Sequence, residues 1–165
     1  VLPNNKNIIM AAQQCVGLTN KEVIVVPTET IPQGVTAMMN VDTEMEPEEL
    51  LSAMSGAISG VSTAQITYAA RNSDFDGFAI SEGDYLSLLD GKLFGTNQDI
   101  SVMLEKLAEK AAEKGAEFVT LFYGEDVTEE QAQAAEAVFA RNCPDAELSV
   151  LPGGQPVYYY IVSIE

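Results

Sequence analysis

Residues 100–123 read ISVMLEKLAEKAAEKGAEFVTLFY, and this stretch decides the fold class. Its apolar residues up to Ala111 recur at the spacing of one buried helical face, and Gly115 marks the predicted end of the helix. The apolar run Phe118–Tyr123 then predicts a strand. A helix that leads directly into a strand is typical of layered α/β proteins.

The same alternation continues to the end of the chain. Thr128-Glu129-Glu130-Gln131 matches a capping box, which predicts the start of a second helix. Residues 148–151 and 157–164 predict two further strands, separated by a loop rich in proline and glycine. Residues 96–165 are therefore predicted to form a helix-strand-helix-strand-strand half.

The first part of the chain predicts a second small half over residues 1–95. Its pattern is a helix capped by Asn4 or Asn5, a doubly buried strand over 23–26, a helix with Ile31, Val35 and Met38 facing inward, and a helix from Pro47. Residues 62–70 predict a half-exposed strand, and Glu82-Gly83 and Asp90-Gly91 predict the turns of an antiparallel meander. The predicted fold is α/β, with a mixed, partly parallel sheet and flanking helices.

Charge and composition exclude several classes of function. The chain has 165 residues, a net charge of -17 and no histidine. That charge repels nucleic acid, and the missing histidine excludes histidine-based acid–base, nucleophilic and zinc chemistry. No apolar run is long enough to span a membrane. Cys15 and Cys143 show no disulfide or metal spacing and are predicted to be buried, which favours a cytoplasmic protein.

The sequence offers no catalytic, cofactor-binding or metal-binding residues. Neither of the usual glycine-rich phosphate-binding motifs occurs. The densest acidic groups are Asp74-x-Asp76 and Asp42-x-Glu44-x-Glu46, which we interpret as a solvated face. The chain begins Val1-Leu2-Pro3, without methionine, as if cut from the end of a strand in a larger polypeptide.

Two polar loops provide the candidate docking residues. Each follows a predicted strand end, where α/β proteins bind ligands and partners. The same residue types also cap helices, so both interpretations remain open. The candidates are Asn4, Asn5 and Asn7 in the first loop, Thr28, Thr30, Gln33 and Gly34 in the second, and Arg71, the lone basic residue near Asp74.

Three stretches resemble a known family: LPNNKNIIMAAQQ at 2–14, VVPTETIPQG at 25–34 and GGQPVYYYIVSIE at 153–165. They are similar to the C-terminal region of the fatty acid kinase A subunit, whose dihydroxyacetone-kinase-like family is also labelled DAK2-fusion. The resemblance implies a fold related to the DegV and dihydroxyacetone-binding group. It also implies a non-catalytic role, docking a fatty-acid-carrying, DegV-like B subunit.

In that family a separate kinase domain, which binds ATP and magnesium, phosphorylates the acyl carboxylate. The resemblance thus implies no cofactor in this region and allows a homodimer of the full-length protein. Dihydroxyacetone-binding subunits use a histidine for covalent attachment, and DegV-like carriers place one in the loop that matches Gly153-Gly154-Gln155-Pro156. This chain has neither. Two alternatives remain: a dihydroxyacetone-kinase-class phosphotransferase or phosphatase that uses Asp74 and Asp76, and a lipid-binding module.

Overall fold

A computed structural model describes residues 1–75 and 78–165, without the side chains of Phe75 and Phe78. The chain divides into two compact units, unit 1 (Val1–Val61) and unit 2 (Ser62–Glu165). Unit 1 contains helices α1 (Lys6–Cys15), α2 (Ile31–Met39) and α3 (Pro47–Ile58), and a short 3-10 turn follows α1. The three helices predicted for this part of the chain are confirmed.

Unit 1 has a small core. Its buried apolar residues are Val26, Ala37, Met54 and Ile58, with Leu2, Leu50 and Leu51 packed against them. Helix α1 buries none of its residues, and Ile8 is half exposed. The sequence of unit 1 contains no phenylalanine, tyrosine or tryptophan, so it has no large ring to fill a core. Much of its apolar surface therefore stays in contact with solvent.

The predicted strand over residues 23–26 is not observed as a strand. Val26 is buried, but the three residues before it are only half-buried. The Val26 N–H donates to the Val1 carbonyl at 3.0 Å, and the Val1 ammonium donates to the Ile24 carbonyl at 2.6 Å. Pairing to a single residue does not make a ladder, so the segment is extended without belonging to a described sheet.

Unit 2 is built on a six-stranded sheet with strand order β5-β4-β1-β8-β6-β7. Its strands are β1 (Ser62–Tyr68), β4 (Tyr85–Leu89), β5 (Lys92–Asn97), β6 (Phe118–Tyr123), β7 (Glu147–Pro152) and β8 (Tyr160–Ile164). A separate hairpin pairs β2 (Ser73–Phe75) with β3 (Phe78–Ile80). Strands β6 and β7 are parallel, whereas the other described neighbours are antiparallel. The predicted mixed, partly parallel sheet is confirmed.

Helices α4 (Ile100–Glu113) and α5 (Glu129–Asn142) pack against each other and the sheet. The capping box predicted at Thr128 is present, because Thr128 and Gln131 each bond the other's backbone N–H. Helix α4 buries the stripe predicted from its spacing, and α5 buries Ala132, Ala135 and Phe139. These side chains meet Val119 and Leu121 of β6 in one continuous core. This shared core joins the two helices and the sheet of unit 2.

The division between the units differs from the predicted boundary at residues 95 and 96. Those two residues lie within β5, which pairs with β4 in the same sheet as the later strands. The meander predicted for the first half therefore belongs to unit 2, and the break comes instead between Val61 and Ser62. The turn at Asp90-Gly91 is as predicted, with both residues at positive φ.

The structure also bears on membrane spanning and on the cysteines. No helix in the described part of the chain is long and apolar enough to cross a membrane. Both cysteines are free, but only Cys143 is buried, and burial raises the pKa of its thiol. Cys15 is exposed, so its predicted burial was wrong, because α1 packs no residue into the core.

Candidate interaction surface

Most of the candidate residues in the two polar loops of unit 1 take part in helix capping. Asn5 begins α1, and its side chain accepts a hydrogen bond from the Asn7 N–H at 2.9 Å. Thr30 begins α2 in the same way, accepting from the Gln33 N–H at 3.3 Å. The Gln33 side chain in turn accepts from the Glu29 N–H at 2.7 Å. Helix capping therefore explains these hydrogen bonds, and it is one of the two interpretations that the residue types left open.

Asn4 joins the first loop to the second. Its N–H donates to the Thr28 hydroxyl at 3.0 Å, and Thr28 is fully buried. Asn4 has a φ of 53°, a left-handed conformation that asparagine tolerates better than most residues. Its side chain lies directly over Gly34 of α2, where a Cβ would collide with the amide. Gly34 therefore allows the close approach of loop and helix.

The Oδ1 atom of Asn4 is buried and has no hydrogen-bond partner among the described residues. Such an atom carries a desolvation cost of about 1–3 kcal/mol when nothing bonds to it. The short distance between the loops is therefore maintained at a cost in stability. The junction of Asn4, Thr28 and Gly34 is therefore closely packed but not fully hydrogen-bonded.

Arg71 is not part of this junction. It lies in unit 2, exposed, between β1 and β2. Asp74 is exposed in β2, whereas Asp76 is outside the described residues. In the part of the chain that the structure describes, no group of three or more acidic or cysteine side chains could hold a metal ion.

The loop over residues 153–156 is held by its own hydrogen bonds. The Gln155 side chain donates to the Phe122 carbonyl at 2.9 Å and to the Tyr158 carbonyl at 3.4 Å. The Gly153 and Gly154 N–H groups both donate to the Tyr123 carbonyl. Gln155 is therefore committed to fixing the loop onto the end of β6.

Helix α2 exposes an apolar stripe that the sequence interpretation placed in the core. The solvent-exposed fractions are 41% for Val35, 56% for Met38 and 81% for Met39, and Ile31 is about half exposed. The buried positions are instead Pro32, Gly34 and Ala37. The inward orientation predicted for Ile31, Val35 and Met38 was therefore wrong, because small residues on the other face allow the close approach of Asn4. We call Ile31, Val35, Met38 and Met39 the α2 stripe.

An acidic segment follows this stripe along the chain. Residues 42–49 include five carboxylates, and all five are exposed. Unit 1 as a whole has seven acidic and two basic residues. Apolar side chains bordered by one sign of charge are typical of a surface that meets another protein. In the sequence these four residues have the spacing of one helical face, and that spacing does not reveal whether the face is covered by the rest of the domain.

Solved structures with a similar fold define the structural class. A DegV family protein of Corynebacterium glutamicum superimposes with a TM-score of 0.69 over 99% of this chain and 73% of its own, at 14% identity. The Fak B3 protein of Streptococcus pneumoniae, solved with linoleic acid, gives a TM-score of 0.65 over 97% of this chain and 66% of its own, at 11% identity. The chain has a DegV-like fold.

Sequence comparison identifies the family. The family model for the C-terminal region of fatty acid kinase A-like subunits matches residues 1–165, and the chain belongs to this family. Protein YloV of Bacillus subtilis is 36% identical over 165 residues, and an uncharacterized protein of Staphylococcus aureus is 32% identical over 167 residues. This chain covers 30% of the length of each of these relatives.

Proposed function

We propose that this domain docks a fatty-acid-binding, DegV-like B subunit beside a kinase domain elsewhere in the longer polypeptide. The kinase domain binds ATP and magnesium and phosphorylates the acyl carboxylate that the B subunit presents. This domain contributes recognition and no catalytic group. Membership of the family formed by the C-terminal regions of A-like subunits supports this assignment.

The observation that carries the proposal is the α2 stripe. Four large apolar side chains lie exposed on one helix of a chain with a net charge of -17. Each apolar side chain of this size contributes on the order of 1.5–3 kcal/mol when it is fully removed from water. A partner that covers the stripe therefore gains a substantial part of its binding free energy there. The exposed carboxylates of residues 42–49, which follow the stripe along the chain, favour a partner with basic residues.

The close junction at the start of α2 supports the same role. Asn4, Thr28 and Gly34 fix the start of α2, so the stripe is presented on an element whose position is constrained. A preorganised surface loses less conformational entropy on binding than a mobile one. Under this proposal Asn5, Asn7, Thr30 and Gln33 act by holding the helices, and Arg71 of unit 2 remains a separate candidate contact.

A binding titration tests the proposal. The domain is titrated by calorimetry with a purified, fatty-acid-loaded DegV-like B subunit, and the full-length A subunit serves as the positive control. We expect binding by the domain and no ATP hydrolysis. The double variant Val35→Asp, Met38→Asp is expected to weaken binding by roughly tenfold or more, since it places charges in the apolar contact.

The matched control is Leu151→Asp, which adds a charge at a half-exposed apolar position of strand β7 in unit 2. This variant should bind as the unmodified domain does. Absence of binding by the domain, while the full-length A subunit binds, would remove the proposal. Equal losses in the α2 variant and in Leu151→Asp would show that the stripe is not the contact.

Two further parts of the proposal concern the full-length protein. The A subunit works in the cytoplasm, in keeping with two cysteines that are both free. It assembles as a homodimer through regions outside this domain. Sedimentation of the full-length protein beside this domain tests the second point, because only the full-length protein should form dimers.

A further inference from the structure

Unit 2 contains a cavity at one end of the strands of its sheet. Its volume is about 360 Å³, within the range of about 300–1,000 Å³ common for ligand sites. The lining includes Tyr85, Tyr159 and Tyr160, the apolar side chains of Leu104 and Val127, and the carboxylate of Asp126. We call it the tyrosine cavity.

The fold places this cavity where α/β proteins bind ligands. Strands β5 and β6 run in the same direction, as the pairings through β4, β1 and β8 require. Each leads directly into a helix, α4 or α5, whose first turn borders the cavity. The carboxyl ends of two like-directed strands, followed by helices, form the usual binding edge of such sheets.

The aromatic lining of the cavity favours the binding of a cationic group. Tyr159 contacts two other rings edge-to-face, with centroids 5.3 Å from Tyr85 and 6.4 Å from Tyr68. Aromatic faces attract cations through their quadrupole. Burial raises the pKa of Tyr159, and the neighbouring Tyr85, Asp126 and Tyr68 raise it further, so its ring stays neutral.

The negative charge at the cavity is not compensated within the described part of the chain. Asp126 is exposed and makes no ion pair there, whereas Glu113, Asp90 and Glu105 each pair with a basic side chain. The lining contains no lysine or arginine. Glu125 precedes Asp126 in the same loop, Glu129 is the first residue of α5, and both add to the negative potential.

We propose that the tyrosine cavity receives an arginine side chain of the docked B subunit, with the guanidinium between Asp126 and the ring of Tyr159. Arginine fits better than lysine, because its planar, weakly hydrated guanidinium can stack on an aromatic ring and pair with a carboxylate at the same time. The inference rests on the proposed docking function and adds a polar contact on unit 2.

The first test uses a small probe and does not depend on the B subunit. The domain is titrated with Nα-acetyl-arginine amide, and the ring protons of Tyr85 and Tyr159 are followed by NMR. We expect shifts with this probe and none with the citrulline analogue, which has the same shape without the charge. Asp126→Asn should abolish the shifts.

The matched control is Asp145→Asn, because Asp145 is an exposed carboxylate after α5 and does not line the tyrosine cavity. This variant should respond as the unmodified domain does. Equal shifts with arginine and citrulline probes, or no shift with either, would overturn the site. A fatty acid found in the cavity by mass spectrometry of the purified domain would also overturn it.

The second test assigns the arginine to the B subunit. Asp126→Asn should weaken binding of the fatty-acid-loaded B subunit by about tenfold, and Asp145→Asn should leave it unchanged. If the B subunit binds Asp126→Asn as tightly as the unmodified domain, the cavity is not part of the contact. If no protein variant binds the B subunit, the proposed function fails, while the probe titration still decides the site.

Discussion

Asn4 and Gly34 are two residues whose fit depends on each other. The three atoms nearest to a Cβ built at Gly34 all belong to the Asn4 side chain. Two effects of Gly34→Ala therefore compete: overpacking costs about 1–3 kcal/mol, and alanine gains about 1 kcal/mol over glycine inside a helix.

We predict that the sign of the Gly34→Ala effect depends on residue 4. In the unmodified chain this change should destabilise unit 1, because the collision outweighs the helix propensity. In the Asn4→Gly background, which also suits the φ of 53°, the same change should stabilise by up to about 1 kcal/mol. Urea unfolding followed by far-UV circular dichroism measures the four proteins. A destabilisation of the same size in both backgrounds would contradict the contact.

Tyr160 predicts how unit 2 responds to alkaline pH. Burial raises its pKa from 10.0 to about 12, and its hydroxyl donates to the Gln131 carbonyl at 3.2 Å. The neutral form is favoured in the folded state, so its contribution is complete below pH 10.0 and is lost as the pH rises towards 12. Tyr160→Phe should cost about 1 kcal/mol below that window and should weaken the alkaline loss within it. Urea midpoints against pH measure this, and parallel curves for the two proteins would count against it.

At the scale of elements, the helices differ in how much of their structure the sequence predicts. Helices α4 and α5 have apolar residues on one face, and the structure buries that face. Helix α2 has apolar residues on both faces, so periodicity cannot decide which side is covered. Asn4, twenty-seven positions before Ile31, determines which face is covered, because its side chain packs against the face that has small residues.

This difference predicts contrasting effects of two truncations. Leu107 of α4 is fully buried, so Leu107→Ala should lower the free energy of unfolding by about 2–5 kcal/mol. Met39 of α2 is mostly exposed, so Met39→Ala should change it by no more than about 0.5 kcal/mol. Thermal unfolding of both variants provides the measurement. A large loss in Met39→Ala would mean that the stripe packs within the domain.

The candidate sites were predictable to different degrees. Caps such as Asn5, Thr30 and Thr128 are local, because the side chain bonds a backbone group within three residues. The tyrosine cavity is assembled from β4, α4, α5, β8 and the loops that precede α5 and β8, so no short motif contains it. In the sequence, Tyr159 and Tyr160 belong to a run of three tyrosines at 158–160 that indicates only packing and rim positions on a strand. The extended segment at 23–26 has the composition of a strand but lacks a described neighbour along its length.

At the scale of the whole molecule, the division into units depends on pairing rather than composition. Residues 95–98 look like a boundary because glycine, asparagine and glutamine cluster there. Backbone pairing between β4 and β5 overrides that signal and keeps the segment inside the sheet. Long-range pairing of this kind depends on residues far apart in sequence, so local composition does not reveal it.

The uneven placement of aromatic residues between the units has a practical consequence. Every tyrosine belongs to unit 2, so intrinsic fluorescence and near-ultraviolet dichroism report on unit 2 alone. Helical far-ultraviolet signal comes from both. Recording the two signals on one sample therefore separates the melting of each unit without a label. A tryptophan placed at an exposed position of unit 1 would supply the missing optical reporter for its side of the molecule.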